Sequence, residues 1–437
     1  MFCTSCSAHL VKVWLSLRLS TLLQNVESSK TEMVELCSEL VRIPTPNPAG
    51  DTDQCVKFIE DYFAQQGVPT EVHSRHRGKA NIVAKIEGVD PNKVLWLGHI
   101  DVVPEGDPLS WKHEPYGGKI EGNAVYGRGS SDMKGSCAAA MVAAKALHSI
   151  GKPPVTMEFW FTCDEETQGE DGAQWLAQEG KIKGDVCIIG DSSGSTLSRP
   201  YVDLGCKGFI WTKLKARGRT AHGSTPYLGD NALEKLLRVI SRIQKISNQR
   251  LVIPADLNPA LRSSVDFLLS SEKLTQEQRR AVKRVYEHPT FSLNMLKGGV
   301  KVNVVPDAAE ASIDIRFTPG IDFDRIREQI QSSIQEAGVE GVTAEYQIGT
   351  GYYESSRSLF ASQLRRAVSK VTGHSPRFKI LTGGTDAILL KNIQGIPCLG
   401  FGAGLEGMAH APDEYISMEQ LTMAAKVYAV FPFVYKG

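Results

Sequence analysis

Val94-Leu95-Trp96-Leu97-Gly98-His99-Ile100-Asp101 is an apolar run that stops on a histidine and a carboxylate. A short continuous apolar stretch of this kind reads as a strand buried on both faces, and such strands belong to parallel sheets wrapped in helices. The stretch therefore selects an α/β fold. Further on, Gly127-Arg128-Gly129-Ser130-Ser131-Asp132-Met133-Lys134-Gly135 is a glycine-rich turn carrying a second carboxylate, and the alanine-rich Ser136–Leu147 after it predicts a helix. Open α/β sheets place their ligands beyond the carboxyl ends of strands. His99, Asp101 and Asp132 fall at that place, and their residue types suggest a metal site.

Toward the N-terminus, Val34, Leu36, Leu40 and Val41 are spaced as one face of a helix that ends at Ile43-Pro44-Thr45-Pro46-Asn47-Pro48, and Asp53–Gln66 predicts a second helix. Strands are expected at Thr70–His73 and Asn81–Ile86, and Pro104–Val125 reads as a loop with a short hairpin. Toward the C-terminus, the strand Val155–Thr162 runs into Cys163-Asp164-Glu165-Glu166, and Asp185–Gly190 into Asp191. Consecutive acids at a strand end do little for stability, so they point to function. His410, in His410-Ala411-Pro412-Asp413-Glu414, is a further ionisable group in the same class.

Near Gly205 the pattern changes. Phe209–Ala216 alternates like a half-exposed strand, Asn231–Lys245 is amphipathic, strands at Thr290–Lys297 and Glu310–Phe317 precede a helix at Asp322–Ala337, and Thr343–Ile348 closes the series. Strand-helix-strand-strand-helix-strand is the split βαβ order of a ferredoxin-like α+β domain. From Tyr352 the α/β pattern resumes with helices at Leu359–Thr372 and Met418–Val430. The expected organisation is a discontinuous catalytic domain (29–206 and 351–437) with an inserted domain (207–350) that carries an extra segment, 251–288, helical around Thr275–Glu287. Residues 1–28 are expected to be an extension outside the fold: a degenerate targeting peptide, a mis-set start or a disordered tail.

A chain of 437 residues suggests two or three domains. Lys plus Arg equals Asp plus Glu, 49 each, with no block of one sign, which argues against nucleic-acid or anionic-membrane partners. Nine scattered cysteines (Cys3, Cys6, Cys37, Cys55, Cys137, Cys163, Cys187, Cys206, Cys398), odd in number and mostly in apolar surroundings, favour free thiols in a reducing, cytoplasmic compartment. Cys3 and Cys6 form a C-x-x-C without a second pair nearby.

Gly98-His99-Ile100-Asp101-Val102-Val103-Pro104, Gly127-Arg128-Gly129 with Asp132-Met133-Lys134-Gly135, Asp164-Glu165-Glu166 and His410-Ala411-Pro412-Asp413-Glu414 occur in this order. Together they resemble the acetylornithine deacetylase and succinyl-diaminopimelate desuccinylase family of co-catalytic zinc peptidases and aminoacylases. The resemblance spans Val34 to the C-terminus. It implies a zinc-peptidase catalytic domain, an inserted lid that makes a homodimer, and two Zn²⁺ per subunit, with Co²⁺ or Mn²⁺ as alternatives. It further implies that His99 and Asp191 hold one ion, Glu166 and His410 the other, and Asp132 bridges them. Asp101 would orient the His99 imidazole, and Glu165 would be the general base toward a metal-bound water. The two glutamates would divide these roles as successive strand side chains do, facing opposite ways. Gly218-Arg219-Thr220-Ala221-His222-Gly223-Ser224 resembles the segment whose histidine steadies the oxyanion in the partner subunit's site. Asn303, Arg316, Gly383, Gly384 and Thr385 match substrate-contacting positions, with Arg316 suited to a carboxylate.

The activity so implied is hydrolysis of the amide of an N-acyl-amino acid. The rivals are a dipeptidase or aminopeptidase of the same clan and a non-catalytic binding protein on the same fold. Each residue also has a plainer reading: His99 as a structural histidine, Asp132 as an N-cap, Glu165-Glu166 as a solvated turn, His222 as an exposed hairpin residue, and Arg316 as the partner of Asp314. Two departures from the family bear on substrate alone. Thr382-Gly383-Gly384-Thr385-Asp386 lacks the serine that often separates Thr from Asp, and the 251–288 segment is not expected in the short bacterial desuccinylases.

Overall fold

The computed structural model describes residues 17–191, 193–270, 274–405 and 407–437. Cys3 and Cys6 lie outside the described residues. The described residues form two compact units: 17–204, 354–378 and 385–437 in the first, and 205–353 with 379–384 in the second.

The first unit opens with residues 17–28 in a helix. Leu22 and Val26, one turn apart, are fully buried, and the Arg18 guanidinium donates to the Ile150 carbonyl at 2.6 Å. This described part of the expected extension is thus packed onto the core, on an apolar stripe too short to stand out in the sequence. Then come α1 (Lys30–Arg42), α2 (Asp53–Gln65), β1 (Thr70–Ser74), β2 (Ala80–Ile86), β3 (Asp90–His99), the short hairpin of β4 (Lys119–Glu121) and β5 (Ala124–Tyr126), α3 (Gly135–Ser149), β6 (Val155–Thr162), α4 (Ala173–Gln178), β7 (Val186–Ile189) and β8 (Tyr201–Cys206).

The second unit follows with β9 (Gly208–Arg217), α5 (Ala232–Ile243), α6 (Asn258–Leu269), α7 (Gln276–Arg284), β10 (Thr290–Gly298), β11 (Ala308–Phe317), α8 (Phe323–Glu336), β12 (Val342–Gly349) and β13 (Tyr352–Tyr353). The chain then runs through α9 (Leu359–Thr372), β14 (Arg377–Leu381), α10 (Ala387–Gln394), β15 (Cys398–Gly400), β16 (Tyr415–Ser417) and α11 (Met418–Val434).

The principal sheet of the first unit is ordered β1-β2-β6-β3-β7-β15-β8. Its centre is parallel: β3 pairs in parallel with both β6 and β7, and β15 with β7. The carboxyl ends of four strands therefore share one edge. Buried aromatic rings fix the middle of this sheet, with Trp96 at 5.4 Å from Phe161, 5.5 Å from Tyr428 and 6.2 Å from Phe159. Each such ring, taken fully out of water, contributes about 1.5–3 kcal/mol. α11 starts at a capping box of Ser417 and Gln420 and is buried along nearly its whole length.

The second unit is a four-stranded antiparallel sheet, β10-β11-β9-β12, with α5 and α8 packed on it through Leu236, Val239, Ile240, Ile326 and Ile330. This is the ferredoxin-like α+β order expected from the sequence. The 251–288 segment holds two helices rather than one. α7 is set by a capping box of Thr275 and Gln278. Both hydrogen-bonding groups of the Ile380 peptide are taken by this segment: the Tyr286 hydroxyl donates to its carbonyl at 2.5 Å, and its N–H donates to Ser264 Oγ at 2.8 Å.

Candidate metal centre

His99 is the last residue of β3, Asp191 follows β7 by two residues, and Glu165 and Glu166 follow β6. Asp132 sits in the turn before α3, and His410 lies between β15 and β16. All are in the first unit. The turn before Asp132 needs Gly129, which has φ +86° and whose added Cβ would come within 2.6 Å of Val102 Cγ1.

Asp132 stands between the two imidazoles. His99 Nε2 lies 3.3 Å from Asp132 Oδ1, and His410 Nε2 lies 3.5 Å from Asp132 Oδ2. Each histidine has a second carboxylate: Asp191 Oδ1 at 3.4 Å from His99 Nε2, and Glu166 Oε2 at 3.3 Å from His410 Nε2. These separations exceed the 2.7–2.9 Å of a charge-assisted hydrogen bond, so the groups converge without closing on each other. His99, Asp132 and Glu166 offer ligand atoms that all lie within 4.8 Å. The two halves differ in access, since the His99 side chain is 3% exposed and that of His410 is 57% exposed.

Orientation comes from neighbours. His99 Nδ1 hydrogen-bonds the backbone carbonyl of Asp101 at 2.9 Å, whereas the nearer Asp101 carboxylate oxygen is at 3.7 Å. The carbonyl, not the carboxylate expected from the sequence, thus sets the ring. The buried Asp101 carboxylate instead accepts the N–H groups of Glu165 (3.1 Å) and Glu166 (3.2 Å) and the amide of Asn47 (2.9 Å). It holds the turn that carries both glutamates. That turn corrects a second expectation: Glu165–Thr167 is a single 3₁₀ turn entered through Asp164 at φ +70°, so the two side chains are separated by a turn and not by strand alternation. Asp164 is fixed by Lys79 Nζ at 2.8 Å, by Thr167 Oγ1 at 2.8 Å and by Asn47 at 3.1 Å.

The crowding of acids shows in their protonation. Burial pushes Glu165 well above the usual carboxylate range, with Asp386, Asp191 and Glu166 adding to it against the pull of His99. Burial likewise raises Glu166 and Asp191. Asp132 goes the other way: its burial is outweighed by His99. Burial works to lower the His99 pKa, but the Asp132 and Asp191 carboxylates facing its ring hold it well above the ordinary imidazole value. Asp386, buried beside this cluster with Thr162 Oγ1 at 3.4 Å, is pushed up to about 8 by its burial.

A cluster of four carboxylates around two imidazoles suits divalent cations, because imidazole and carboxylate together are zinc-type donors. The residues present fit such ions on a further count. Glu166 Oε1 is buried with no hydrogen-bond partner among the described residues, a position a carboxylate oxygen occupies at a cost unless a cation or donor meets it.

Residues 95–432 match the model of peptidase family M20/M25/M40. The chain belongs to this family. It is accordingly a metal-dependent amidohydrolase. Among its relatives, a succinyl-diaminopimelate desuccinylase of Methylocella silvestris is 27% identical over 412 residues, covering 91% of this chain and 96% of that protein. Among solved structures, an M20 family metallo-carboxypeptidase from Sulfolobus solfataricus superposes with a TM-score of 0.77 at 22% identity, covering 92% and 98% of the two chains. A dinuclear metal-binding M20 peptidase from Bacillus subtilis does so with a TM-score of 0.62 at 16% identity, covering 93% and 98%.

The remaining expected site residues divide between the units. His222, Asn303, Arg316, Gly383 and Gly384 are in the second, and Thr385 is in the first. Within its unit His222 is exposed, with Nδ1 2.7 Å from Ser224 Oγ and accepting the Ser224 N–H at 3.2 Å. Asn303 is exposed beside it, its carbonyl accepting the Gly223 N–H at 2.8 Å. Arg316 Nε is paired with Asp314 at 2.8 and 3.1 Å, the ion pair its neighbour in sequence allowed, and its guanidinium lies over Phe209 (5.2 Å) and Trp211 (5.7 Å). Asn47, Lys79 and Asp386 were missed in the sequence. Asn47 and Lys79 carry no signal there; Asp386 ends the glycine-rich Thr382–Asp386 stretch already singled out.

Proposed function

We propose that this chain hydrolyses the amide bond of N-acyl-amino acids at two zinc ions, as a homodimer in the cytoplasm. The observation that carries the reading is the pairing of the two imidazoles with the two oxygens of Asp132, next to a carboxyl group, Glu165, raised well above its usual pKa. His99 and Asp191 would hold one ion, Glu166 and His410 the other, and Asp132 both. When bound, the ions supply Lewis-acid polarisation of the scissile carbonyl and acidify water.

The chain's own groups do the rest. Glu165 takes a proton from the attacking water and passes it to the departing amine, a role that suits a carboxyl group whose burial makes it a stronger base than an ordinary glutamate. His222, acting in the partner subunit, donates to the oxyanion. The Arg316 guanidinium, with Nε engaged by Asp314, offers its outer edge to the substrate carboxylate, while Asn303, Gly383, Gly384 and Thr385 line the path of the acyl-amino acid. The desuccinylase likeness at 27% identity favours an acylated amine over a free one. The buried Cys37, Cys55, Cys137, Cys163, Cys187 and Cys398, which form no disulfide among the described residues, favour a reducing compartment, and no helix among the described residues is long and apolar enough to cross a membrane.

The test is a side-by-side panel of N-succinyl-, N-acetyl-amino acids and dipeptides against protein titrated with Zn²⁺, Co²⁺ and Mn²⁺. Highest kcat/KM on an N-acyl-amino acid at two equivalents of metal is expected. Preference for dipeptides would move the assignment to a peptidase, and metal uptake without turnover on any substrate would overturn it.

A further inference from the structure

Glu414 is fully buried, yet neither the ligand set nor the proton path uses it. Its carboxylate is saturated. Oε2 accepts from Arg128 Nη1 at 2.7 Å and from the Gly129 N–H at 3.0 Å, while Oε1 accepts from the N–H groups of Ser131 at 2.8 Å and Asp132 at 2.9 Å. Its own carbonyl takes the Gly127 N–H at 2.9 Å. The turn from Gly127 to Asp132 therefore hangs on one residue from a segment almost three hundred places later in the chain. Arg128 returns the contact: its Nη1 and Nη2 donate to the carbonyls of Ala411 (3.2 Å) and His410 (3.4 Å), and it stacks over Trp111 at 5.0 Å.

We propose that Glu414, with Arg128, is the positioning residue that sets the bridging carboxylate of Asp132 against His410, so that the two-ion centre is fixed by this link rather than by its ligands alone. The physical ground is the count of donors. Three backbone N–H groups bent toward one point in a water-poor site need an anion there, and a buried carboxylate accepting two hydrogen bonds per oxygen satisfies them all. Removing the charge leaves two of these donors facing a carboxamide N–H₂. The turn then relaxes, and Asp132 and His410 relax with it. This inference rests on the metal-dependent reading above, and partners that orient a ligand change metal affinity by about 10–100-fold.

The experiment is calorimetric titration of Co²⁺ into metal-free protein, with the visible Co²⁺ spectrum followed in parallel, for wild type, Glu414→Gln, Arg128→Met and Val430→Ala. Val430 is a buried α11 residue outside both linked segments, and it controls for loss of stability alone. Glu414→Gln is expected to weaken Co²⁺ binding ~10–100-fold and to alter the spectrum, Arg128→Met to do so less, and Val430→Ala to lower Tm without changing affinity. Should Glu414→Gln fail to fold, Arg128→Met, which keeps all three amide contacts, decides. Wild-type affinity in the folded variants, whatever their Tm, overturns the proposal. Wild-type protein that binds no Co²⁺ instead overturns the metal-dependent reading and this inference with it.

Discussion

The two units treat buried charge in opposite ways. The first gathers His99, Asp132, Glu165, Glu166, Asp191 and Asp386 at one sheet edge, an excess of carboxylates that stays unbalanced without added cations. The second buries ammonium groups, among them Lys207 and Lys379. Lys207 is 1% exposed, donates to the Val285 carbonyl at 2.7 Å and lies over the Tyr286 ring at 5.7 Å. Burial, helped by the charge of Arg316, lowers its pKa to about 7. The first unit thus concentrates carboxylates at one sheet edge, and the second leaves His222 and Asn303 on the surface and pairs Lys207 with a carbonyl and a ring. The lesson is that convergence of like charges, not burial as such, marks the candidate metal centre.

Three substitutions sharpen or break this contrast. Glu165→Gln attacks the concentrated side, and turnover should fall by roughly 10²–10⁴-fold with both metal equivalents still bound. Steady-state kinetics beside metal analysis checks it, and retained turnover would remove Glu165 from the mechanism. His222→Ala attacks the exposed side. Here a loss of about 10²–10³ in kcat is expected with metal content and Tm unchanged, and mixing this variant with Glu165→Gln should restore measurable turnover if the histidine serves the other subunit. No recovery in mixed dimers would confine His222 to its own chain.

The smallest effect belongs to Lys207→Met. The folded pKa of Lys207 is about 7 and the unfolded value 10.5, so the unfolded chain holds the extra proton between those limits. Wild-type stability should then rise with pH across that window, and the cost of the buried ammonium is fully present below pH 7. Replacing the charge with an apolar side chain should stabilise the protein by an amount at the low end of about 1–4 kcal/mol at pH 6. The gain should vanish by pH 10.5, as urea melts at the two pH values would show. A pH-independent difference would mean that the Lys207 pKa is the same in the folded and the unfolded chain.

Much of this was legible in the sequence because buried parallel strands announce themselves as apolar runs, and β3 ends on an ionisable residue while β6 and β7 run into one within a few residues. The ferredoxin-like order was legible for the same reason, since alternation and helical spacing follow burial directly. What escaped depends on contacts made across long sequence separations. Asn47 acts only through Asp101, Asp164 and Thr167, and nothing near it in the chain says so. β8 and β14 give no clear period, and α6 is hidden in a segment of mixed polarity. The Glu165–Thr167 turn was misread because Asp164 adopts a left-handed conformation without being glycine, held there by Lys79 and Thr167.

The dependence of Asp132 on Glu414, and of the second imidazole on a loop beyond β15, sets an order in time. During synthesis His99, Asp132, Glu166 and Asp191 emerge before the inserted unit, while His410 and Glu414 follow it. At roughly 5–20 residues per second, the nascent chain spends on the order of ten seconds or more with four of the five proposed ligands made and the anchor for their bridge still unwritten. A growing polypeptide in this state has four donor groups without their geometry, so hydrolytic competence arrives in one late step rather than accumulating as the chain lengthens.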